Sequence, residues 1–352
     1  MRPYPPIDAD GHITESPQQL VPYIEDPLHA ARQRYYPADG WDRSLGGTLG
    51  SGASTAEDWI QQLDQHELDR TILYPTDGLA IGCVHEVEVA CALCRAYNNF
   101  FVEEFTRRDP RLLGAALIPM EDVNEAVKEV RRAVTELGMP GIMLPAVGLR
   151  VPLGDPMYHP IYAEAERLNV MVGVHATVRE PALYGAGAFN RFIEVHQLSH
   201  PFAQMQQLTS MMFQGVFERF PRLRVAFMEA GCTWVPFWLD RMDTEWEMRG
   251  AVEAPLCKRR PSDYVMDGNI FFHAEEDERL IPSVAAALRE DILYYASDYP
   301  HWDHHFPQSI DEFEERPDLS ESLRRWILRD TALRLYGQPS YTAKALPPEG
   351  GG

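Results

Sequence analysis

Apolar and polar positions follow two recurring patterns along the chain. Short, nearly continuous apolar runs occupy residues 4–10, 71–75, 113–119, 141–145, 170–175, 224–229, 269–273 and 292–298. Runs of this length read as strands. Runs as uniformly apolar as VMVGV and ILYYA read as strands covered on both faces, the condition of a parallel sheet. Between them lie stretches whose apolar positions recur every three to four residues: 57–69, 121–137, 158–168 and 276–290, with a last one at 320–336. That spacing predicts amphipathic helices. Eight strands alternating with helices predict an α/β fold, a (β/α)₈ TIM barrel. Two long loops interrupt the alternation, 11–56 after the first strand and 176–199 after the fifth. Both leave strand C-termini, so both are expected to overhang the barrel mouth. The unbroken alternation predicts one domain over residues 1–340, and the ending at 341–352 predicts a flexible tail.

Side chains at the C-terminal ends of barrel strands point into the catalytic mouth. Those positions here are rich in imidazoles and carboxylates: Asp10 and His12 on strand 1, His175 on strand 5, Glu229 on strand 6, His273 and Glu275 at strand 7, and Asp298 followed by His301 at strand 8. Each has a bland reading by itself. A histidine ending an apolar strand usually packs and hydrogen-bonds, and an aspartate after a strand usually caps the next helix. Their coincidence on one rim points instead to a divalent transition metal, since nitrogen and oxygen donors of this kind suit Zn, Fe or Mn. Alternate strand residues share a face, so Asp10 and His12 are expected to meet one ion. Cys91 and Cys94 form a C-x-x-C pair inside the helical run VEVACALCRAYNNFF. With no second pair nearby, they read as core residues rather than a zinc or redox motif.

The formal net charge of −21 argues against nucleic acid or an anionic membrane as a partner, because both demand a basic footprint. No apolar run reaches membrane-spanning length, and the first residues lack an apolar signal region, so a cytoplasmic location is expected.

The segments IDADGHITE, VGVHATV, FERFPRLRVAFMEAGCTWVPFWLDRMD and YYASDYPHWD, in that order, resemble the amidohydrolase superfamily. The similar branch is that of aminocarboxymuconate-semialdehyde decarboxylase and γ-resorcylate decarboxylase, and the resemblance spans nearly the whole barrel. It implies a metal held by a His-x-His or Glu-x-His pair on strand 1, a histidine on strand 5 and an aspartate on strand 8. Those positions are Asp10, His12, His175 and Asp298 here. Two departures stand out. The first ligand is Asp10. The decarboxylase branch carries a histidine in a His-x-Gly pattern at the end of strand 6, where this chain has Glu229-Ala230-Gly231. The strand 4 end, GIMLPAVG, lacks the lysine that binuclear relatives carboxylate to bridge two metals.

These observations set the expectations. One ion is held by Asp10, His12, His175 and Asp298, and a second is possible through Glu229 with His200 or His196. The departure at strand 6 favours hydrolysis of a carbonyl compound by a metal-bound water. Asp298 then accepts the proton, Glu229 acts as a second base, proton donor or ligand, and His200 joins the catalytic group. His301 on the strand 8 loop, and Arg179 and Tyr184 on the strand 5 loop, are the candidates to touch a small-molecule substrate. The alternatives are non-oxidative decarboxylation of an aromatic or unsaturated carboxylate, and a ligand-binding barrel without catalysis. The Trp- and Met-rich stretches at 202–214 and 234–248 are candidate faces for a homodimer.

Overall fold

A computed structural model describes residues 4–24 and 55–337. Most of the loop at 11–56 and the tail at 341–352 therefore lie outside the described residues. Eight strands run in chain order around one sheet, every neighbouring pair parallel. They are β1 (Ile7–Ile13), β2 (Arg70–Pro75), β3 (Leu112–Leu117), β4 (Gly141–Pro145), β5 (Met171–His175), β6 (Val225–Phe227), β7 (Ile270–His273) and β8 (Leu293–Tyr294). Past the end of β8 the chain turns back onto β1. The Ala9 amide donates to the Tyr295 carbonyl (3.2 Å), the Asp298 amide to the Asp10 carbonyl (3.0 Å), and the His12 amide to the Tyr299 carbonyl (2.8 Å).

The principal helices after the strands are α1 (Ala56–Gln65), α2 (Val87–Phe101), α3 (Val123–Thr135), α4 (His159–Leu168), α5 (Phe192–Phe213), α6 (Val235–Glu253), α7 (Ile281–Ala287) and α8 (Thr331–Tyr336). Their starts follow local chemistry. Thr55 and Asp58 form a capping box for α1, and the Asp122 carboxylate accepts from the Asn124 and Glu125 amides to start α3. Both cysteines of the C-x-x-C pair lie on α2 and all five cysteines are free, but only Cys94 is a core residue and Cys91 is half-buried. Among the described residues no helix is long and apolar enough to cross a membrane.

Tyrosines fill the barrel beneath its mouth. The Tyr336 hydroxyl donates to the Ala9 carbonyl (2.7 Å) and lies 3.0 Å from the Tyr74 hydroxyl, while Tyr294 donates to the Phe227 carbonyl (3.0 Å). All three are buried. Room for Tyr74 comes from Gly173, where a Cβ would stand 2.7 Å from the Tyr74 hydroxyl.

Three strands depart from the sequence expectation in ways that shape the site. β1 starts later and runs through His12, with a register shift between Asp8 and Gly11. The irregularity breaks strict alternation. A Cβ on Gly11 would meet the Asp8 carboxylate at 2.6 Å and the Trp59 ring at 2.6 Å, so Asp8 shares Gly11's side and not that of Asp10. The ladders of β6 and β8 stop two and four residues short of Glu229 and Asp298. Both residues sit at left-handed φ, 49° and 51°, so the backbone leaves the ladder to turn each carboxylate into the mouth.

Asp8 ties the barrel seam. Its fully buried carboxylate accepts from the Thr71 hydroxyl (2.7 Å), the Ser297 hydroxyl (2.8 Å), the Ser297 amide (2.8 Å) and the Asp10 amide (3.3 Å). Those donors hold β1, β2 and the end of β8 together directly beside Asp10 and Asp298. Asp8→Ala leaves them without an acceptor in a dry interior. It is expected to destabilise the protein by about 3 kcal/mol or more, read as a lowered midpoint in urea with an unchanged slope.

Candidate metal centre

Five side chains from β1, β5 and the ends of β6 and β8 converge at the mouth. His12 Nε2 lies 3.6 Å from Asp10 Oδ1, 3.3 Å from Asp298 Oδ1 and 4.0 Å from Glu229 Oε2. His175 Nε2 lies 3.5 Å from Asp10 Oδ2 and 3.1 Å from Glu229 Oε2. The two imidazoles are set by their other nitrogens. His12 Nδ1 is 2.9 Å from the Pro75 carbonyl and His175 Nδ1 is 2.8 Å from the Ala176 carbonyl. A carbonyl only accepts, so both Nδ1 atoms carry a proton and both Nε2 atoms face the centre, where a metal site needs its ligand nitrogens.

Whether a cation fits is answered by the atoms left without partners. Asp10 Oδ1, His12 Nε2, His175 Nε2 and Glu229 Oε2 are all buried and complete no hydrogen bond, and Asp298 Oδ1 is buried beside them with His301 Nδ1 against it. Buried polar atoms are normally satisfied, and four unsatisfied donor atoms with the Asp298 carboxylate beside them match the demands of a divalent ion with nitrogen and oxygen ligands. The electrostatics agree. Burial, with Glu229 and Asp8 nearby, pushes the Asp10 carboxyl up to about 7 although His175 pulls the other way. Burial likewise holds Asp298 well above the carboxylate range, helped by Glu229. Burial and the His175 charge pull His12 down to about 3, keeping its lone pair available. His175 is pulled down by burial, but Asp10 and Glu229 outweigh this and raise it to about 10. Burial also opposes ionisation of Glu229, yet His200, His175 and His301 hold it well below its ordinary range. A bound cation relieves the crowding of carboxylates that these shifts record.

The remaining candidates divide. His200, on α5, points Nε2 at Glu229 Oε1 (3.5 Å) and rests Nδ1 on the Ser199 hydroxyl (3.0 Å). His301 stacks on the His12 ring at 3.9 Å, places Nδ1 2.6 Å from Asp298 Oδ1 and Nε2 3.1 Å from the Thr76 hydroxyl. It is far more central than a loop residue beside the site. Arg179 lines a small recess at the mouth together with Thr76, His200, Glu229 and His301. Tyr184 does not reach the site: it is buried, and its hydroxyl donates to the Val178 carbonyl at 2.8 Å. His196 faces Asp303 at 3.4 Å rather than the ligand cluster. His175 belongs both to the Asp10–His12 group and to the His200–Glu229 group, but its Nε2 has one lone pair, so an ion on the first group leaves the second group only Glu229 and His200. Sequence reasoning missed Asp8 and Thr76, which make no direct claim on a metal and act through neighbours.

The amidohydrolase family model matches residues 7–338. The chain belongs to the amidohydrolase family. Two relatives cover most of it. One is 2-amino-3-carboxymuconate-6-semialdehyde decarboxylase of Dictyostelium discoideum, 25% identical over 286 residues, 79% of this chain and 75% of that protein. The other is gamma-resorcylate decarboxylase of Rhodococcus jostii, 27% identical over 293 residues, 79% and 86% respectively. The fold is shared with an amidohydrolase of Mycobacterium avium subsp. paratuberculosis (TM-score 0.79, 20% identity, 97% of this chain and 100% of that one). It is also shared with 5-carboxyvanillate decarboxylase of Novosphingobium aromaticivorans, solved with manganese and 4-hydroxy-3-methoxy-5-nitrobenzoic acid (TM-score 0.72, 17% identity, 95% and 96%). The family and the branch are those that the sequence motifs resemble.

Proposed function

We propose that the protein is a metal-dependent, non-oxidative decarboxylase of an aromatic or unsaturated carboxylate. The observation that carries this reading is the set of buried donor atoms from Asp10, His12, His175 and Asp298 that converge on one point, in a chain whose relatives are decarboxylases. The hydrolytic expectation gives way to it. A bound divalent cation supplies the positive charge that holds the substrate's carboxylate and an adjacent oxygen.

The chain's own residues do the rest. Arg179, on the rim of the recess, has no side-chain partner among the described residues and offers a cation to the substrate's anionic end. Loss of carbon dioxide breaks the bond between the carboxylate and its carbon. A proton must be delivered to that carbon, and the bonding pair returns to the substrate's π-system. Asp298 is the donor: burial favours its protonated form, and His301 Nδ1, 2.6 Å away, resupplies it. Glu229 is held ionised and does not donate. His200 brings an imidazole from α5 to 3.5 Å from the Glu229 carboxylate. Thr76 steadies His301 through its other nitrogen.

The carboxylate of Glu229 itself favours a second reading, hydrolysis. One experiment separates them. Manganese-loaded protein in D₂O is given ortho-hydroxybenzoates labelled with ¹³C in the carboxyl group, and in parallel aryl esters and amides. Decarboxylation yields labelled bicarbonate and deuterium at the vacated carbon. Ester or amide turnover without labelled bicarbonate from any acid would overturn the reading.

A further inference from the structure

The mouth opens into a cleft of about 610 Å³ that runs from Glu229 and Asp298 to the loop after β7. That volume suits a small molecule, and its far end has no part in the chemistry above. Among the described residues no lysine or arginine lines it, whereas the consecutive acids at 275–278 do. A run of acids is not a site in itself. What marks this one is His273. The ring is 4% exposed, and neither nitrogen completes a hydrogen bond, although the Ala296 backbone lies beside it. A buried, unsatisfied ring on a cleft wall is where the polar group of a ligand would complete the bonding. The ring is held in place by stacking on Tyr294, 5.9 Å between centroids at 22°. Burial takes its pKa down to about 4, so it offers one N–H and one lone pair.

The neighbouring acids are not equivalent. Glu278 is occupied, accepting from the Cys232, Thr233 and Glu275 amides. Glu276 faces His305 at 3.0 Å. Glu275 instead approaches His273 Nδ1 at 4.0 Å. Burial and the acids around it, Glu278 first among them, push its carboxyl up to about 8. A group with two N–H donors between Glu275 and His273 would satisfy both acceptors, and a second carboxylate there would add to the repulsion.

We propose that this end of the cleft is a subsite for an amino group on the substrate, held by the Glu275 carboxylate and the His273 lone pair, and that it rejects substrates carrying a further carboxylate. The inference rests on the decarboxylase reading and names the substrate class within it. The test is binding rather than turnover. Manganese-loaded protein is titrated calorimetrically with 2-hydroxybenzoate and with its 3-, 4- and 5-amino and 3-, 4- and 5-carboxy derivatives. At least one amino compound is expected to bind about tenfold tighter than the carboxy compound substituted at the same position. Glu275→Gln and His273→Asn are expected to bring that ratio close to one with metal content unchanged. Glu275 is partly exposed, so Glu275→Gln carries the test if His273→Asn does not fold. Equal affinities in the wild type, or a ratio that survives in the variants, would overturn the subsite alone. If none of the benzoates binds, the decarboxylase reading and the subsite fall together.

Discussion

His175→Ala is expected to strip the protein of its divalent cation and to lower turnover by about 10³-fold. The imidazole touches both carboxylates that flank the centre, 3.5 Å from Asp10 and 3.1 Å from Glu229, and its Nδ1 is anchored on the Ala176 carbonyl. Among the described residues no neighbouring side chain can replace that geometry. His200 is the nearest imidazole on that side, 6.2 Å away between ring centroids, and is turned toward Glu229. Lewis-acid assistance is worth several kcal/mol of transition-state stabilisation, and about 4 kcal/mol corresponds to the stated factor. Elemental analysis of wild type and variant reads the first part, and turnover on the acid found active reads the second. Equal metal content in the two proteins would remove His175 from the ligand set.

The second large effect concerns Glu229. It stands where the decarboxylase branch has a histidine, and three imidazoles hold it ionised. Glu229→Gln keeps its shape and removes its charge. The variant is expected to lose at least about tenfold in kcat, roughly 1.4 kcal/mol. Metal content then separates two roles. If metal is lost with activity, Glu229 Oε2 is a ligand. If metal is retained, Glu229 acts by holding His200 and His175 for proton traffic, and a changed pH profile of kcat accompanies the loss. Glu229→His restores the branch's pattern and is expected to keep decarboxylation measurable. Full activity in Glu229→Gln would deny it any part in the chemistry.

Much of this was legible in the chain because parallel strands buried on both faces leave nearly unbroken apolar runs. Asp10, His12, His175, Glu229 and Asp298 stood out because they interrupt those runs at one end. Strand limits were less legible where function bends the backbone. The left-handed φ of Glu229 and Asp298 cuts both ladders short, and an apolar run carries no sign of it. Asp8 was hidden for a related reason. The register shift before Gly11 places it off the face that i, i+2 spacing assigns, and its partners Thr71 and Ser297 lie on other strands. The loop after β5 was the hardest to read. Arg179 and Tyr184 are five residues apart in one polar segment, yet one lines the mouth and the other is core. His301 looked peripheral because it follows the strand, and only the fold stacks it on His12.

The cation's position tests the account most directly. Crystals grown with manganese and measured for anomalous scattering are expected to give one strong peak at the mouth. It should lie within coordination distance of His12 Nε2, His175 Nε2 and the carboxylates of Asp10 and Asp298. A peak instead among Glu276, His305 and Glu312, the exposed cluster that could also take an ion, or no peak between β1, β5 and β8 in protein that binds manganese in solution, would contradict it.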